Sequence, residues 1–235
     1  MGHDPRHPLD NVVWAALTGA HASFAQGSGL ARHYPRDIAP FSAVAEPSAR
    51  AYADLAGGLA AGVEARLFRP SEEPTPDGWE TLSVRPIVQM VAGDVRPSRD
   101  ASSDIAVEAL TPGDVDEMIA LAEVTKPGPF GPRTIMLGDY VGVRDETSRL
   151  VAMAGERFRI PGHVEVSAIC VHPAMRGRAL GRALALDLVE RARERGETAF
   201  LHVFPDNPAA QLYLRWGFRE RARHCVVWRR PLARS

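Results

Sequence analysis

The segment from Val171 to Arg182 constrains the fold more than any other part of this 235-residue chain. An apolar run ends at Val171, a turn rich in glycine and arginine follows, and residues 179–195 then have the pattern of an amphipathic helix. Leucines recur at every fourth position along one face of that helix, at Leu180, Leu184 and Leu188. The pattern predicts a strand that leads through a tight turn into a helix.

The turn itself has the properties of an anion-binding site. The first backbone N–H groups of a helix have no partner inside the helix, and the helix dipole adds positive potential at that end. Glycines allow a ligand to approach the backbone closely, and arginine side chains add charge around it. We therefore expect a diphosphate group to bind the following residues: Arg176, Gly177, Arg178, Ala179, Leu180, Gly181 and Arg182.

A second motif follows the next predicted strand, which covers residues 199–204. Asn207, Ala210, Tyr213 and the pair Gly217-Phe218 are spaced around one short helix at residues 208–215. The order and separation of the two motifs are more specific than either motif alone.

Together the two segments resemble motifs A and B of the GNAT N-acetyltransferases, and the resemblance extends over residues 105–230. That family's turn reads Arg/Gln-x-x-Gly-x-Gly/Ala, and Ala179 stands here at the first patterned glycine. Alanine still permits a helical turn, so we expect only mild crowding of one contact to phosphate. The resemblance implies an α/β (α+β) fold whose mixed central sheet splays open between the strands ending at Val171 and near Phe204.

The resemblance also implies roles for residues that line this opening. Acetyl-CoA would be the acyl donor, and its pantetheine arm would lie between the two strands against the backbone of Ile169, Cys170 and Val171. The amide of Ile169 or of its neighbour would polarise the thioester carbonyl. Asn207 and Ala210 would contact the same arm from the second motif.

Acylation of an amine needs a proton donor for the departing thiolate and a proton acceptor for the amine. Tyr213 is the predicted general acid because a phenol stays protonated at neutral pH; the alternative is a core aromatic residue. Glu165 is the predicted general base, on the strand face that alternation assigns to Ser167, Ile169 and Val171, and partial burial is expected to raise its pKa. The alternatives for Glu165 are a solvated glutamate or a salt-bridge partner. Two histidines, His163 and His202, are reserve candidates for the base.

The acceptor is expected to be a primary amine on a small molecule or a peptide. Phe130 and Arg133, in the Pro/Gly-rich loop at residues 125–133, are the predicted substrate contacts, although such a loop is also typical of a plain surface turn. Pairs are common in the GNAT family, so a homodimer is compatible with the resemblance.

The N-terminal half carries no catalytic signature. Residues 10–25 and 48–61 read as helices and residues 86–92 as a strand, before a polar segment at residues 93–104. We therefore predict a non-catalytic α/β domain at residues 1–100 and a GNAT domain at residues 105–235. This layout resembles the two-part glycine N-acyltransferase branch, in which the first half is a degenerate copy of the second.

Composition excludes several other classes of protein. A formal net charge of −1 and 24% charged residues indicate neither a nucleic-acid nor a membrane partner. Two cysteines, Cys170 and Cys225, form neither a disulfide framework nor a zinc motif, so we expect no metal. With no apolar leader at the N-terminus, the expected location is the cytoplasm.

Two alternatives to acetyl transfer stay open on the sequence alone. The same scaffold could transfer a longer acyl group to an amine. It could also serve as a catalytically silent module that binds acyl-CoA as a sensor, if Ala179 or an absent base reflects lost activity.

Overall fold

The computed structural model describes residues 7–93 and 105–232. The helices are α1 (Val12–Leu17), α2 (Ala49–Gly58), α3 (Val115–Thr125), α4 (Leu180–Glu194) and α5 (Ala209–Arg215). The strands are β1 (Ala31–His33), β2 (Ser42–Val44), β3 (Ala65–Arg69), β4 (Trp79–Ala92), β5 (Glu108–Ala109), β6 (Tyr140–Arg144), β7 (Leu150–Ile160), β8 (His163–Val171), β9 (Thr198–Val203) and β10 (Phe218–Pro231). Short 3-10 turns connect several of them.

One large mixed sheet organises the molecule. Its eight strands lie in the order β3-β10-β4-β9-β8-β7-β6-β5, and β8 and β9 are parallel whereas the other neighbouring pairs are antiparallel. The hairpin predicted from residues 140–159 is β6 and β7, and the predicted strand–turn–helix is β8 followed by α4. The predicted α/β class with a mixed central sheet is confirmed.

Strands from the N-terminal half belong to this same sheet. β4 lies between β9 and β10, and β3 pairs with the outer edge of β10. The predicted boundary at residue 100 therefore does not separate two sheets, and the strand assigned to a degenerate copy is an inner strand of the main one. The polar segment that suggested the boundary lies almost wholly outside the described residues. A polar, turn-rich composition is equally typical of a surface connection within one domain, which explains why it suggested a boundary between two.

Two apolar layers hold the sheet. On one face α4 packs with its predicted leucine stripe, and Leu184 and Leu188 are fully buried there. On the other face α1 packs its buried Val12, Val13 and Leu17 over the strands. The helix predicted over residues 10–25 is only the six residues of α1 flanked by 3-10 turns, since the chain turns at residues 18–21. None of the helices within the described ranges has the length and apolarity needed to cross a membrane.

Candidate functional site

The two parallel strands at the centre of the sheet part from each other halfway along. β8 and β9 pair only from His163 opposite Thr198 to Glu165 opposite Phe200. Beyond that point a cavity of about 1130 Å³ opens between them, lined by residues 166–171 of β8 and by residues 201–203 of β9. The predicted splay of the sheet is confirmed, and it leaves a strand edge open to a ligand.

A β-bulge lies on the β8 side of this opening. Met153 pairs with Cys170 and Gly155 pairs with Ser167, so Ala168 and Ile169 together face the single residue between Met153 and Gly155. Ala168 has a left-handed backbone, with φ of 52°. A residue other than glycine pays roughly 1–2 kcal/mol for that conformation, and such strain is concentrated at functional sites. The bulge is consistent with the predicted role of the Ile169 amide, which is to polarise the thioester carbonyl.

Strand alternation did not select the lining residues correctly. Every residue from 166 to 171 lines the cavity, whereas Glu165, which alternation grouped with Ile169, does not. The physical reason is that β8 presents its unpaired edge to the cavity, and side chains from both of its faces border an edge. Ile169, Cys170 and Val171, the predicted contacts of the pantetheine arm, all line the cavity.

The turn before α4 forms one end of the cavity. Gly177 has φ of 79°, and a Cβ there would meet nothing within 4 Å. Ala179 is the N-cap of α4 and is left-handed at φ of 59°, so the expectation that it takes part in a helical turn is wrong. This geometry explains why glycine is the patterned residue at that position. Most predicted turn residues line the cavity, namely Arg176, Gly177, Ala179, Leu180, Gly181 and Arg182, but Arg178 does not.

The second motif borders the cavity from the side of α5. Asn207 lines it, and its Oδ1 accepts a hydrogen bond from the Ala209 amide at 2.9 Å, which orders the start of α5. Ala210 instead packs against the core under α4, and Ala209 lines the cavity in its place. Ala210, which was predicted to contact the pantetheine arm, therefore does not line the cavity.

Tyr213 also lines the cavity. Its ring packs edge-on against Trp216 at 5.4 Å and against Phe218 at 6.0 Å between centroids. Burial raises the pKa of the phenol to about 12. A pKa this high keeps the hydroxyl protonated at neutral pH.

Glu165 is buried in an ion pair. Its side chain is 0% exposed, and it accepts hydrogen bonds from Arg157 Nε at 2.8 Å and from Arg157 Nη2 at 2.6 Å. His202 Nδ1 lies 2.7 Å from its Oε1. Burial alone would raise the pKa of this carboxyl, but Arg157 and His202 together lower it to about 2. The expected upward shift is wrong, and Glu165 is the salt-bridge partner that was the alternative.

The lowered pKa of Glu165 predicts a loss of stability in acid. Its value falls from 4.5 to about 2 on folding, so the ionised pair stabilises the fold above pH 4.5 and that contribution fades as pH falls toward 2. The full contribution is about 3 kcal/mol. Urea unfolding at several pH values between 5 and 3 should show a shallower pH dependence in Glu165→Gln than in the parent. Equal slopes would contradict the lowered pKa.

The two reserve candidates for the base, His202 and His163, also have hydrogen-bond partners. Gln89 Nε2 donates to Leu9 O at 2.8 Å and lies 3.0 Å from His202 Nε2, while Gln89 Oε1 accepts from Arg221 at 2.7 Å. These partners fix the amide orientation, so His202 Nε2 must accept and its Nδ1 must donate to Glu165. His202 lines the cavity, but both ring nitrogens are bonded. His163 lies at the paired end of β8, away from the opening, with Nδ1 3.2 Å from Pro161 O.

The predicted substrate contacts lie elsewhere. Phe130 packs edge-on against Tyr140 at 5.8 Å, and Arg133 forms an ion pair with Asp37 at 3.2 Å that ties the loop to the N-terminal segment. Neither residue lines the cavity. The earlier part of the same loop, at residues 125–129, does. Tertiary contacts to Asp37 turn the rest of the loop away.

The wall opposite the turn consists of residues that sequence reasoning missed. It is lined by Phe41, Arg66, Phe68, Arg85, Ile87, Arg157, Val226 and Trp228. Most of them come from β3, β4 and the segment before them, where no motif marks them. The one available signal was the alternation of Arg66 and Phe68 within β3, which places both on one face. No group of residues suited to hold a metal ion occurs within residues 7–93 and 105–232.

Comparisons with known proteins agree with this geometry. The sequence model of the FR47-like protein family matches residues 140–227. A solved structure assigned to the GNAT family of acetyltransferases, from Novosphingobium aromaticivorans, is 35% identical with a TM-score of 0.85, and the match covers 97% of this chain and 100% of that one. No curated protein matches the chain.

Two more distant structures share the fold alone. A GCN5-related N-acetyltransferase from Kribbella flavida is 20% identical, with a TM-score of 0.63 and coverage of 94% of this chain and 95% of that one. Another from Sphaerobacter thermophilus is 17% identical, with a TM-score of 0.52 and coverage of 88% and 79%. The splayed mixed sheet, with a glycine turn before α4, is the fold of these acetyltransferase structures and places the chain in the CoA-dependent acyltransferase class. The chain belongs to the GNAT family of acetyltransferases, whose general chemistry is acyl transfer to an amine.

Proposed function

We propose that the chain transfers an acetyl group from acetyl-CoA to a primary amine. One observation carries this proposal: the parted strands and the turn at residues 176–182 border a single continuous cavity. The turn and the N-terminus of the 15-residue α4 suit the diphosphate, and the open edge of β8 suits the amide-containing arm. The cavity is large enough for both substrates, since small-molecule sites usually measure about 300–1,000 Å³.

In the proposed reaction the amine nitrogen attacks the thioester carbonyl carbon, and the bond from that carbon to sulfur breaks. The backbone amide of Ile169, within the bulge, stabilises the negative charge that develops on the carbonyl oxygen. Tyr213 gives its hydroxyl proton to the departing sulfur and regains a proton from solvent. The bulge of β8 holds the Ile169 amide, and packing against Trp216 and Phe218 holds Tyr213 of α5, before the substrates arrive.

The amine proton needs a different route from the one predicted. Glu165 has both oxygens bonded and a lowered pKa, and it does not line the cavity. Glu165 therefore positions Arg157 and His202 in the wall of the site, and we propose that water in the open cavity takes the amine proton. The rate should then follow the pKa of the amine itself, so it should rise with pH to a different midpoint for each amine.

Calorimetric titration with CoA tests the proposal, and two neighbouring arginines supply a matched comparison. Arg176→Ala should weaken CoA binding about tenfold, because a charge-assisted contact to phosphate is lost. Arg178→Ala should change it far less, since Arg178 does not line the cavity. Equal losses in the two variants would contradict the assigned turn geometry. No affinity of the parent for CoA would refute the proposed function.

Transfer of a longer acyl group is a second candidate, favoured by the apolar part of the wall. Phe41, Phe68, Ile87 and Val226 supply more apolar surface than an acetyl group needs. Rates of thiol release with acetyl-CoA and with an aromatic or medium-chain acyl-CoA separate the two. A higher kcat/KM for the larger donor would assign the apolar wall to the acyl chain.

A further inference from the structure

The wall opposite the turn carries positive charge that no lining carboxylate balances. Arg66, Arg85 and Arg157 of this wall line the cavity, as does Lys126 of the loop at residues 125–129, and none of the described residues around the cavity is an aspartate or a glutamate. The charge of Arg157 is balanced by its ion pair with Glu165, which does not line the cavity. Arg85 forms an exposed pair with Asp206 at 3.3 Å and lies 4.0 Å from the centroid of Phe204. A site of this charge favours an anionic ligand.

Arg66 is the residue best placed to bind such a ligand. It lies directly opposite Trp228 in the pairing of β3 with β10, and its guanidinium carbon is 4.5 Å from the centroid of the Trp228 ring. Burial lowers the pKa of this guanidinium, while Glu64 nearby raises it and Arg36 lowers it. Within residues 7–93 and 105–232, no carboxylate forms an ion pair with Arg66.

Stacking on an aromatic ring leaves the edge of a guanidinium open. The five N–H donors of arginine lie in the plane of the group and match both oxygens of a planar carboxylate. Trp228 covers one face of Arg66 and limits its rotation, so the donors are ordered before a ligand binds. Phe68, on the same face of β3, continues the wall with apolar surface.

We propose that the amine acceptor carries a carboxylate, that Arg66 binds this carboxylate, and that Phe68 and Trp228 contact the rest of the acceptor. This proposal rests on the amine acylation proposed above. It assigns Arg66 to substrate specificity and the arginines of the turn, Arg176 and Arg182, to the acyl donor. The N-terminal strands β3 and β4 would then supply acceptor recognition to a site whose donor half lies on β8 and α4.

Matched product analogues test the proposal without knowledge of the natural acceptor. The CoA-saturated protein is titrated calorimetrically with N-acetylphenylalanine and with N-acetylphenylalaninamide, which differ in charge but hardly in size. The acid should bind about tenfold more tightly than the amide, because charge-assisted bonds to a carboxylate exceed those to a neutral amide. In Arg66→Gln the two ligands should bind equally. Arg66→Lys should retain part of the preference, since it keeps the charge but loses the planar donors.

A control variant and the CoA titration make the outcome decisive. Arg223→Gln removes an arginine that is 72% exposed on β10 and paired with Glu220, away from the cavity, and it should keep the full preference for the acid. Equal binding of acid and amide by the parent, no binding of either, or a preference that survives in Arg66→Gln would each overturn the proposal. If the parent does not bind CoA, the proposed function itself is refuted.

Discussion

Replacement of Glu165 by glutamine should destabilise the fold by about 3–5 kcal/mol, because it leaves the Arg157 guanidinium buried without a counter-charge. Arg157 is 14% exposed and its charge is bound by both oxygens of Glu165. It also lies against the rings of Phe41, Phe68 and Phe158, at 5.0, 5.5 and 4.8 Å, and none of these rings supplies a counter-charge. Urea unfolding at neutral pH measures the loss, which is large beside a typical total of about 5–15 kcal/mol.

Two further variants separate this effect from a catalytic one. Glu190→Gln makes the same chemical change in a half-exposed pair with Arg193, and it should cost less than about 1 kcal/mol. The double variant Arg157→Met/Glu165→Gln removes the uncompensated charge and should recover part of the lost stability. If Glu165→Gln keeps its stability but loses kcat and the rise of rate with pH, Glu165 is the general base after all.

Local elements were predictable from the sequence because short-range patterns determine them. The leucine stripe of α4, the hairpin of β6 and β7, and the glycine turn each depend on residues within about a dozen positions of one another. The same holds for the proposed donor half of the site, whose lining residues Ile169, Val171, Arg176 and Gly181 all lie in one continuous segment.

The environment of Glu165 was not predictable in the same way. Its partners come from the preceding strand, through Arg157, and from β9, through His202. His202 is in turn oriented by Gln89, 113 residues earlier in the chain, on a strand that only the sheet order brings alongside. A lone glutamate on a strand gives the same local pattern whether it faces water or an arginine, so its pKa shift depends on tertiary structure alone.

The place of β4 between β9 and β10 has a consequence for function. An apolar run such as residues 86–92 indicates a buried strand but carries no information about its neighbours. Here its position joins the N-terminal half to the catalytic sheet, so the acceptor wall and the donor turn form one cavity. A fragment that begins at residue 105 would lack an inner strand of the sheet. Each experiment therefore uses the 235-residue chain.

Tyr213→Phe should lower kcat about 100-fold or more while leaving the KM for acetyl-CoA nearly unchanged, because the lost proton is needed mainly as sulfur departs. The ring contacts with Trp216 and Phe218 are kept in the variant, so packing changes little. Since the pKa of Tyr213 is raised to about 12, the parent should show no alkaline loss of rate from this group below pH 10. Steady-state thiol release across pH measures both effects.

Tyr52→Phe provides the matched control for this prediction. Its hydroxyl bonds Glu73 at 2.8 Å and does not line the cavity, so its removal should leave kcat unchanged. Equal kcat for Tyr213→Phe and the parent would show that solvent protonates the leaving sulfur. Water in the cavity would then both take the amine proton and supply the proton to sulfur. A fall in kcat confined to Tyr213→Phe would assign the two proton transfers to different groups. Tyr213 would then protonate the departing sulfur, and water would take the proton from the amine nitrogen.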